Sequence, residues 1–345
     1  MYQSYEANTF SDLVDNVVTG DCLDVMNLIP NNKVNLIITS PPYFQQRDYG
    51  GGIGNEKTID LYLENLLAVF DQCNRVLTED GSVVFNLGDK YLNSSLQLIP
   101  YRFALRVLET FQVKLVNDIT WIKLNPTPRQ YQKRLVNSTE PFFHFVKSDK
   151  YYYQLNEFKK NDSLKNKKND GSNIGKKYYE LIRTSSLTSE QKRAAIQELT
   201  DTIREVKEGK IESLRMKIQG IHSEPFGGQN GGRMYHLMRK GFTIIKIKGN
   251  GIKKDVMESA VETIKGSKHP AVYPLSIIRE LIKLLSRPGD FVLDPFVGSG
   301  TTAIAAKELN RSYIGIDLNQ EYCKYARERL SRIHYQETPE ILNEI

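Results

Sequence analysis

A five-residue run, Thr-Ser-Pro-Pro-Tyr at positions 39–43, closes an apolar, β-rich segment at 34–40 that reads as a strand. The prolines stiffen the backbone and remove two N–H donors. A hydroxyl, carbonyl oxygens that can only accept hydrogen bonds and an aromatic ring remain. An exocyclic amino group on a flat base needs acceptors for its N–H bonds and a ring to stack on. The run therefore predicts a nest for such a base, and the alternative is a strand-ending turn that happens to contain Pro-Pro.

A second chemical feature is a glycine-rich turn at 295–301, which follows a predicted strand and precedes a predicted helix. Glycines let the backbone approach a ligand closely, and a helix N-terminus favours an anionic group. The turn lacks the P-loop pattern GxxxxGK[ST]. Asp317 ends the next predicted strand, about twenty residues on, where a carboxylate can accept hydrogen bonds from both hydroxyls of a ribose. These features predict a nucleotide-like ligand, with a helix N-cap as the alternative role of Asp317.

Alternating strands and helices at both ends of the chain must position these two features. Strands are predicted at 34–40, 82–88, 117–123, 141–147, 291–294 and 312–317, and helices at 59–77, 97–110, 276–286, 301–309 and 319–333. This rhythm predicts an α/β fold with one parallel sheet and helices on its faces.

The middle of the chain has a different character. A polar, lysine-rich stretch at 157–177 predicts a mobile loop, and Thr188 with Gln191 forms a capping-box pattern at the start of a helix. That helix has an apolar stripe at three- and four-residue spacing, formed by Ile196, Leu199, Ile203 and Val206. We therefore expect three parts: residues 1–154, an inserted region at 155–265, and residues 266–345.

The net charge of +6 over 345 residues is mildly basic, but its distribution says more. Residues 146–220 hold 17 Lys and Arg against 11 Asp and Glu, which leaves the rest of the chain balanced. This local excess predicts a polyanionic partner. The alternative is a solvated, lysine-rich loop.

The composition, with 40% hydrophobic and 26% charged residues, excludes collagen-like, disulfide-knotted and wholly disordered chains. Cys22, Cys73 and Cys323 form no CxxC pair, which favours a reducing, cytosolic compartment. No apolar run reaches the ~20 residues of a membrane span, and the first residues lack a secretory pattern.

The Ser-Pro-Pro-Tyr run together with Asp-Pro-Phe-Val-Gly-Ser-Gly-Thr-Thr at 294–302 resembles the amino-group DNA methyltransferases that use S-adenosylmethionine. The order of the two motifs resembles the beta arrangement of that family. Further matching pieces lie at 20–23, 137–140, 144–145, 268–271 and 274–275. The resemblance covers 17–150 and 266–330, and it implies a Rossmann-like, doubly wound class I methyltransferase fold with an inserted target-recognition region at 155–265.

The resemblance also implies roles for the matching residues. The target base would be held by Ser40, Pro41, Pro42 and Tyr43. The implied cofactor-binding residues are Asp21, Cys22, His269, Pro270, Asp294, Phe296, Gly298, Ser299, Gly300, Thr301 and Asp317. In the polar loop 125–134 the candidate phosphate contacts are Arg129, Lys133 and Arg134, for which a solvated loop is the alternative.

Family members with serine in the first tetrapeptide position mostly act on cytosine N4, so the resemblance favours that amine; adenine N6 stays open. The chain has no Pro-Cys nucleophile, which argues against methylation at carbon 5 of cytosine. Two further classes of protein compete with a DNA methyltransferase. One is an RNA or protein amide methyltransferase, in which the glycine turn usually comes first, and the other is a non-catalytic cofactor-binding regulator. The implied partners are duplex DNA and a cognate restriction endonuclease. The protein is expected to be a monomer or homodimer in the bacterial cytoplasm, associated with the nucleoid. No metal and no membrane are expected to take part.

Overall fold

The computed structural model describes residues 7–47, 52–126, 133–154, 175–211, 213–222, 233–247, 254–261 and 273–333. Its helices are α1 (Phe10–Leu13), α2 (Cys22–Met26), α3 (Ile59–Val76), α4 (Ile99–Thr110), α5 (Lys176–Thr184), α6 (Ser189–Lys207), α7 (Arg233–Lys240), α8 (Leu275–Leu285), α9 (Thr301–Glu308) and α10 (Gln320–Leu330). Its strands are β1 (Asn16–Thr19), β2 (Val34–Thr39), β3 (Leu77–Asn86), β4 (Tyr91–Leu92), β5 (Ser95–Leu96), β6 (Lys114–Lys123), β7 (Thr139–Val146), β8 (Ser213–Ile218), β9 (Phe242–Ile247), β10 (Val256–Ser259), β11 (Phe291–Asp294) and β12 (Ser312–Asp317).

Eight strands form one sheet in the order β1-β12-β11-β2-β3-β7-β6-β10. β7 is antiparallel to both of its neighbours, and the other pairs are parallel. The predicted α/β fold with a mostly parallel sheet is therefore confirmed. Strand β1, which no prediction included, extends the sheet beside β12.

Side chains alternate between the two faces of the sheet, as strand geometry requires. On β2, Ile37 faces the core formed with α3 and α4, whereas Leu36 and Ile38 face the core formed with α8 and α9. On β3, Phe85 and Val84 divide between the same two cores. Both faces are thus covered by helices, which explains why the central strands read as continuous apolar runs.

The described chain divides into two compact units, one formed by residues 1–158 and 254–345 and one by residues 159–253. The smaller unit contains α5, α6, α7 and the antiparallel pair β8–β9, around a core that includes Leu199, Ile203 and Met216. The edge strand β10, which falls in the region that we expected to be inserted, belongs to the larger unit.

The capping box at the start of α6 is confirmed: Thr188 Oγ1 accepts from Gln191 N, and Gln191 Oε1 accepts from Thr188 N. The predicted stripe differs at one position, because Ile196 is 37% exposed while Ala195 is buried. The buried face follows the four-residue step through Ala195, Leu199 and Ile203.

Most of the polar stretch 157–177 lies outside the described residues. None of the helices in the described ranges combines the length and apolar character that a bilayer crossing requires.

The strand order brings the two chemical features together. β11 lies directly between β2 and β12, and it is parallel to both. The carboxyl ends of the three strands therefore lie at one edge of the sheet, where ligands bind in open α/β folds. The Ser-Pro-Pro-Tyr run leaves β2 at that edge, and the glycine turn leaves β11 beside it.

Candidate active site

A cavity of about 410 Å³ lies beyond the carboxyl ends of β1, β2, β11 and β12. This volume is within the usual range for small-molecule sites. The predicted site residues that line it are Asp21, Cys22, Ser40, Pro41, Pro42, Tyr43, Phe296, Gly298, Ser299, Thr301 and Asp317. Residues that are distant in sequence thus share one cavity wall, as the sequence interpretation required.

The glycine turn is built from backbone geometry. Gly298 and Gly300 have φ angles of +50° and +87°, in the left-handed region that favours glycine. A Cβ on Gly300 would lie 2.9 Å from the Ala326 Cβ on α10. Gly300 does not belong to the cavity lining that includes its neighbours Ser299 and Thr301. The positive φ of the turn and the close packing against Ala326 explain why a glycine occupies position 300. A direct contact of Gly300 with the cofactor stays a prediction.

Asp317 lies at the end of β12 and is held by two backbone donors. Its Oδ2 accepts from Gly298 N at 3.0 Å, and its Oδ1 accepts from Asn319 N at 2.8 Å. The N-cap of α10 is Asn319, which excludes the alternative role of Asp317 as that cap. Burial raises the pKa of Asp317 to about 6, although both backbone hydrogen bonds oppose the shift. A half-buried carboxylate that lines the cavity is thus available as an acceptor.

Asp294, at the end of β11, is buried and accepts four hydrogen bonds. The donors are Thr39 Oγ1 at 2.7 Å, Tyr273 Oη at 2.8 Å, Thr302 Oγ1 at 2.6 Å and Phe296 N at 3.1 Å. Burial raises the pKa of Asp294, while these hydrogen bonds act in the opposite direction. The cavity lining does not include Asp294. Because Thr39 directly precedes Ser40, this carboxyl group connects the glycine turn to the Ser-Pro-Pro-Tyr run.

Asp21 and Cys22 form another part of the wall, at the start of α2. Asp21 Oδ1 accepts from Leu23 N at 2.8 Å and so caps the helix. Cys22 is 7% exposed. Burial, assisted by the nearby Asp21 charge, raises the pKa of the Cys22 thiol to about 12. The thiol is therefore neutral and contributes an apolar surface.

The Ser-Pro-Pro-Tyr run is held by side chains. Ser40 Oγ lies 3.2 Å from both Tyr43 Oη and Asn86 Oδ1, and its one proton can be donated to either oxygen. Tyr43 Oη lies 2.9 Å from Asn86 Oδ1 and 3.1 Å from Glu140 Oε2, and its one proton can be donated to either oxygen. The Pro42 carbonyl accepts from Tyr62 Oη at 2.9 Å. The Ser40 hydroxyl and the Tyr43 ring are thus fixed where both line the cavity.

Gly88 allows the Tyr43 ring to occupy its place. A Cβ on Gly88 would lie 2.3 Å from Tyr43 Cε2, far inside van der Waals contact. The ring therefore packs against bare backbone on the side of Gly88. This close approach and the hydroxyl hydrogen bonds fix the orientation of the ring.

Sequence reasoning missed several residues around this run. Asn86 ends β3, the parallel neighbour of β2, and Glu140 lies on β7, where Lys123 of β6 forms an ion pair with it. The signal for Asn86 was available, because parallel neighbours end at the same edge of the sheet. Glu140 belongs to a stretch that was noted only for its resemblance to the family.

The remaining predicted residues have other locations. His269, Pro270 and Arg129 lie outside the described residues. Lys133 is exposed, and the Arg134 guanidinium lies 3.6 Å from the centre of the Tyr91 ring. Neither residue lines the cavity, and their role as phosphate contacts stays a prediction.

The chemical groups that line the cavity match those of an S-adenosylmethionine molecule. Asp317 offers a carboxylate to hydroxyl groups, and Phe296, Leu318 and Cys22 offer apolar surface to a flat ring. The N–H groups in the first turn of α9 favour a negatively charged group such as a carboxylate. We therefore propose these residues as the cofactor-binding wall.

Comparisons with known proteins identify the family of the chain. The family model described as "DNA methylase", for N6 and N4 methyltransferases, matches residues 34–328. The type II methyltransferase M.XycI of Xanthomonas campestris pv. cyanopsidis is 27% identical over 342 residues, covering 90% of this chain and 86% of the relative. M.SmaI of Serratia marcescens is 26% identical over 349 residues, covering 92% and 90%.

Solved structures show the same fold. The PvuII DNA methyltransferase, described as cytosine-N4-specific, superposes with a TM-score of 0.57 at 17% identity, covering 91% of this chain and 85% of that one. TTHA0409 of Thermus thermophilus, a putative DNA modification methylase in complex with S-adenosyl-L-methionine, has a TM-score of 0.51 at 20% identity, covering 92% and 93%.

Together, the fold and the cavity define a Rossmann-like, S-adenosylmethionine-dependent methyltransferase. The chain belongs to the N6/N4 amino-methyltransferase family of DNA methylases. Its substrate is therefore DNA, and the group that it methylates is an exocyclic amine.

Proposed function

We propose that the enzyme methylates the N4 amine of cytosine in duplex DNA, at a specific sequence. Ser40 carries this proposal, because the acceptor at the start of the tetrapeptide is a neutral hydroxyl and not a carboxylate. In this family, serine at that position goes mostly with cytosine N4 and aspartate mostly with adenine N6. Serine is also the weaker acceptor.

The exocyclic amine is a poor nucleophile, because its lone pair is delocalised into the base. N–H hydrogen bonds to Ser40 Oγ and to the Pro41 carbonyl favour a pyramidal nitrogen with a freer lone pair. No hydrogen bond from the described residues engages the Pro41 carbonyl, whereas the Pro42 carbonyl is taken by Tyr62. Both acceptors also stabilise the positive charge that develops on the nitrogen.

When bound, S-adenosylmethionine supplies an electrophilic methyl group on a positively charged sulfur. The backbone of the glycine turn and the Asp317 carboxylate would bind and orient this donor. The tetrapeptide orients the amine in the same cavity, so proximity supplies much of the remaining rate enhancement. No covalent intermediate with the enzyme is required.

The target base must leave the duplex before it can reach this cavity, at a cost of a few kcal/mol. The Tyr43 ring, which lines the cavity, offsets part of that cost by stacking on the extruded base. The region 155–265 reads the DNA sequence, and basic side chains, including Arg129, Lys133 and Arg134, hold phosphates. Affinity for DNA then falls steeply with salt.

The relatives are type II methyltransferases. We therefore also propose that this enzyme works beside a cognate restriction endonuclease in the bacterial cytoplasm, where its methylation protects the recognition sites on the nucleoid.

The experiment is a product analysis. Plasmid DNA is incubated with the enzyme and methyl-labelled S-adenosylmethionine, digested to nucleosides and separated by chromatography. We expect the label in N4-methyldeoxycytidine, and none with the Ser40→Ala variant as the matched control. Label in N6-methyldeoxyadenosine would reject the cytosine assignment. Label found only in RNA or protein in parallel incubations would reject DNA as the substrate.

A further inference from the structure

A chain of hydrogen bonds leads from the cavity to a carboxylate behind it. Ser40 Oγ donates to Tyr43 Oη at 3.2 Å, and Tyr43 Oη donates to Glu140 Oε2 at 3.1 Å. Ser40 and Tyr43 line the cavity, whereas Glu140 does not. Two hydroxyl groups thus connect the position proposed for the amine to a group that can accept a proton.

Asn86 orients this chain without being able to end it. Its Oδ1 lies 3.2 Å from Ser40 Oγ and 2.9 Å from Tyr43 Oη, as the alternative acceptor for each hydroxyl proton. Its Nδ2 donates to the Pro141 carbonyl at 3.0 Å, which fixes the direction of the amide. An amide oxygen is neutral and a very weak base. It can hold the two hydroxyls in place, but it does not take up a proton near neutral pH.

Glu140 is held in place by hydrogen-bond donors on both carboxylate oxygens. Its Oε1 accepts from Lys123 Nζ, and the two side chains are only 13% and 19% exposed. The neighbouring strands present Lys123 from β6 and the neutral Asn86 from β3, and the tetrapeptide presents Tyr43. The Lys123 ammonium also lies 5.0 Å from the centre of the Trp121 ring on the same strand.

We infer that Glu140 takes up the proton that the amine loses during methyl transfer, through Tyr43 and Ser40. This inference rests on the proposed function. The nitrogen forms a bond to the methyl carbon, while the carbon–sulfur bond breaks and its electron pair stays on sulfur. The nitrogen passes one proton to Ser40 Oγ, Ser40 passes its own to Tyr43 Oη, and Tyr43 passes its own to Glu140. The neutral Glu140 then releases the proton to water.

Glu140 acts through two other side chains, so it is a positioning residue and its test needs more than a loss of activity. The measurement is the single-turnover rate of methyl transfer to plasmid DNA between about pH 5 and pH 9. Cofactor is saturating, so that titration of Asp317 does not affect its occupancy. The variants are Glu140→Gln, Tyr43→Phe and the double variant, with Glu109→Gln, on the exposed surface of α4, as the matched control.

We expect Glu140→Gln to lower the single-turnover rate about 100-fold while the cofactor Kd stays unchanged. Tyr43→Phe, which keeps the ring and removes the hydroxyl, should have the same effect. The double variant should lose no more than either single variant, because both interrupt one path. Glu109→Gln should retain the wild-type rate and pH profile.

A wild-type rate for Glu140→Gln, or a double variant that loses the product of the single effects, would overturn the inference. So would a parallel loss of cofactor affinity by calorimetry, which would assign Glu140 to the folding of the site. The single-turnover rate counts every transferred methyl group, whether it is on cytosine or on adenine. An error in the cytosine assignment therefore leaves the comparison intact and is detected separately by nucleoside analysis.

Discussion

The two turns that form the cavity are built in different ways. The turn after β11 takes its shape from backbone: two glycines with positive φ, and Asp317 accepting from a backbone N–H of the turn. The turn after β2 is stiffened by two prolines and held by side chains from two other strands, Asn86 and Glu140. In the proposed site, one turn would present backbone donors to the cofactor, and the other would present the Ser40 hydroxyl and the Pro41 carbonyl to the amine.

This difference matches the two tasks in the cavity. A cofactor that is used in every reaction can be held by rigid backbone and one carboxylate. The amine needs acceptors in fixed directions, which the stiff Pro-Pro backbone and the oriented side chains around it would provide. Asp294 connects the two turns, because it accepts from Thr39 before one turn and from Thr302 after the other. Variants should therefore separate cofactor binding from catalysis.

The largest effect is expected from Tyr43→Ala. This variant removes the ring proposed to stack on the base and the hydroxyl that links Ser40 to Glu140. We expect kcat to fall by roughly 100- to 1,000-fold, the range of a lost catalytic group, while the cofactor Kd measured by calorimetry changes little. A loss of cofactor affinity as large as the loss of kcat would contradict the division of tasks.

Asp317→Ala should have the opposite pattern. Losing a charged hydrogen bond should weaken cofactor binding by roughly 1.5–3 kcal/mol. At saturating cofactor the rate of transfer should approach that of the wild type, because the variant leaves the tetrapeptide unchanged. Calorimetry and steady-state kinetics give the two values, and unchanged cofactor affinity would remove Asp317 from the binding site.

Gly300→Ala tests the backbone construction of the cofactor turn. The alanine would have to adopt the left-handed φ of +87°, and its Cβ would lie 2.9 Å from Ala326 Cβ. We expect the free energy of unfolding to fall by about 1–3 kcal/mol, measured by urea denaturation. Gly289→Ala is the matched control, because its φ is +86° and nothing lies within 4 Å of the added Cβ. An equal loss in both variants would show that strain alone is responsible.

The smallest effect is a dependence of cofactor affinity on pH. Burial raises the pKa of Asp317 to about 6, and only the ionised form accepts from two hydroxyls. Affinity should therefore decrease as pH falls below this value, by about tenfold one unit below it. In the free enzyme the folded state binds more protons than the unfolded state between 3.8 and about 6. The contribution of Asp317 to stability thus decreases as pH rises through this window. Asp317→Asn should show neither dependence.

The sequence was sufficient to predict the elements of both turns. Gly298, Gly300 and Asp317 could be recognised because a tight turn between a strand and a helix depends on local residues. The contacts of Asn86 and Glu140 depend on strand order. Asn86 could have been assigned once β3 was taken as the parallel neighbour of β2, whereas Glu140 could not. Strand β7 runs antiparallel beside β3, and that position brings Glu140 to Tyr43. The link from Asp294 to Thr39 likewise requires β11 to pair with β2.

The most direct test of the central claim, that the two turns divide binding from catalysis in one cavity, is Ser40→Ala. The measurement combines the cofactor Kd by calorimetry with the single-turnover rate of methyl transfer to duplex DNA at saturating cofactor. We predict a Kd within about twofold of the wild type and a rate at least ~100-fold lower, the usual cost of a lost transition-state hydrogen bond. A wild-type rate, or a loss confined to the Kd, would contradict this account.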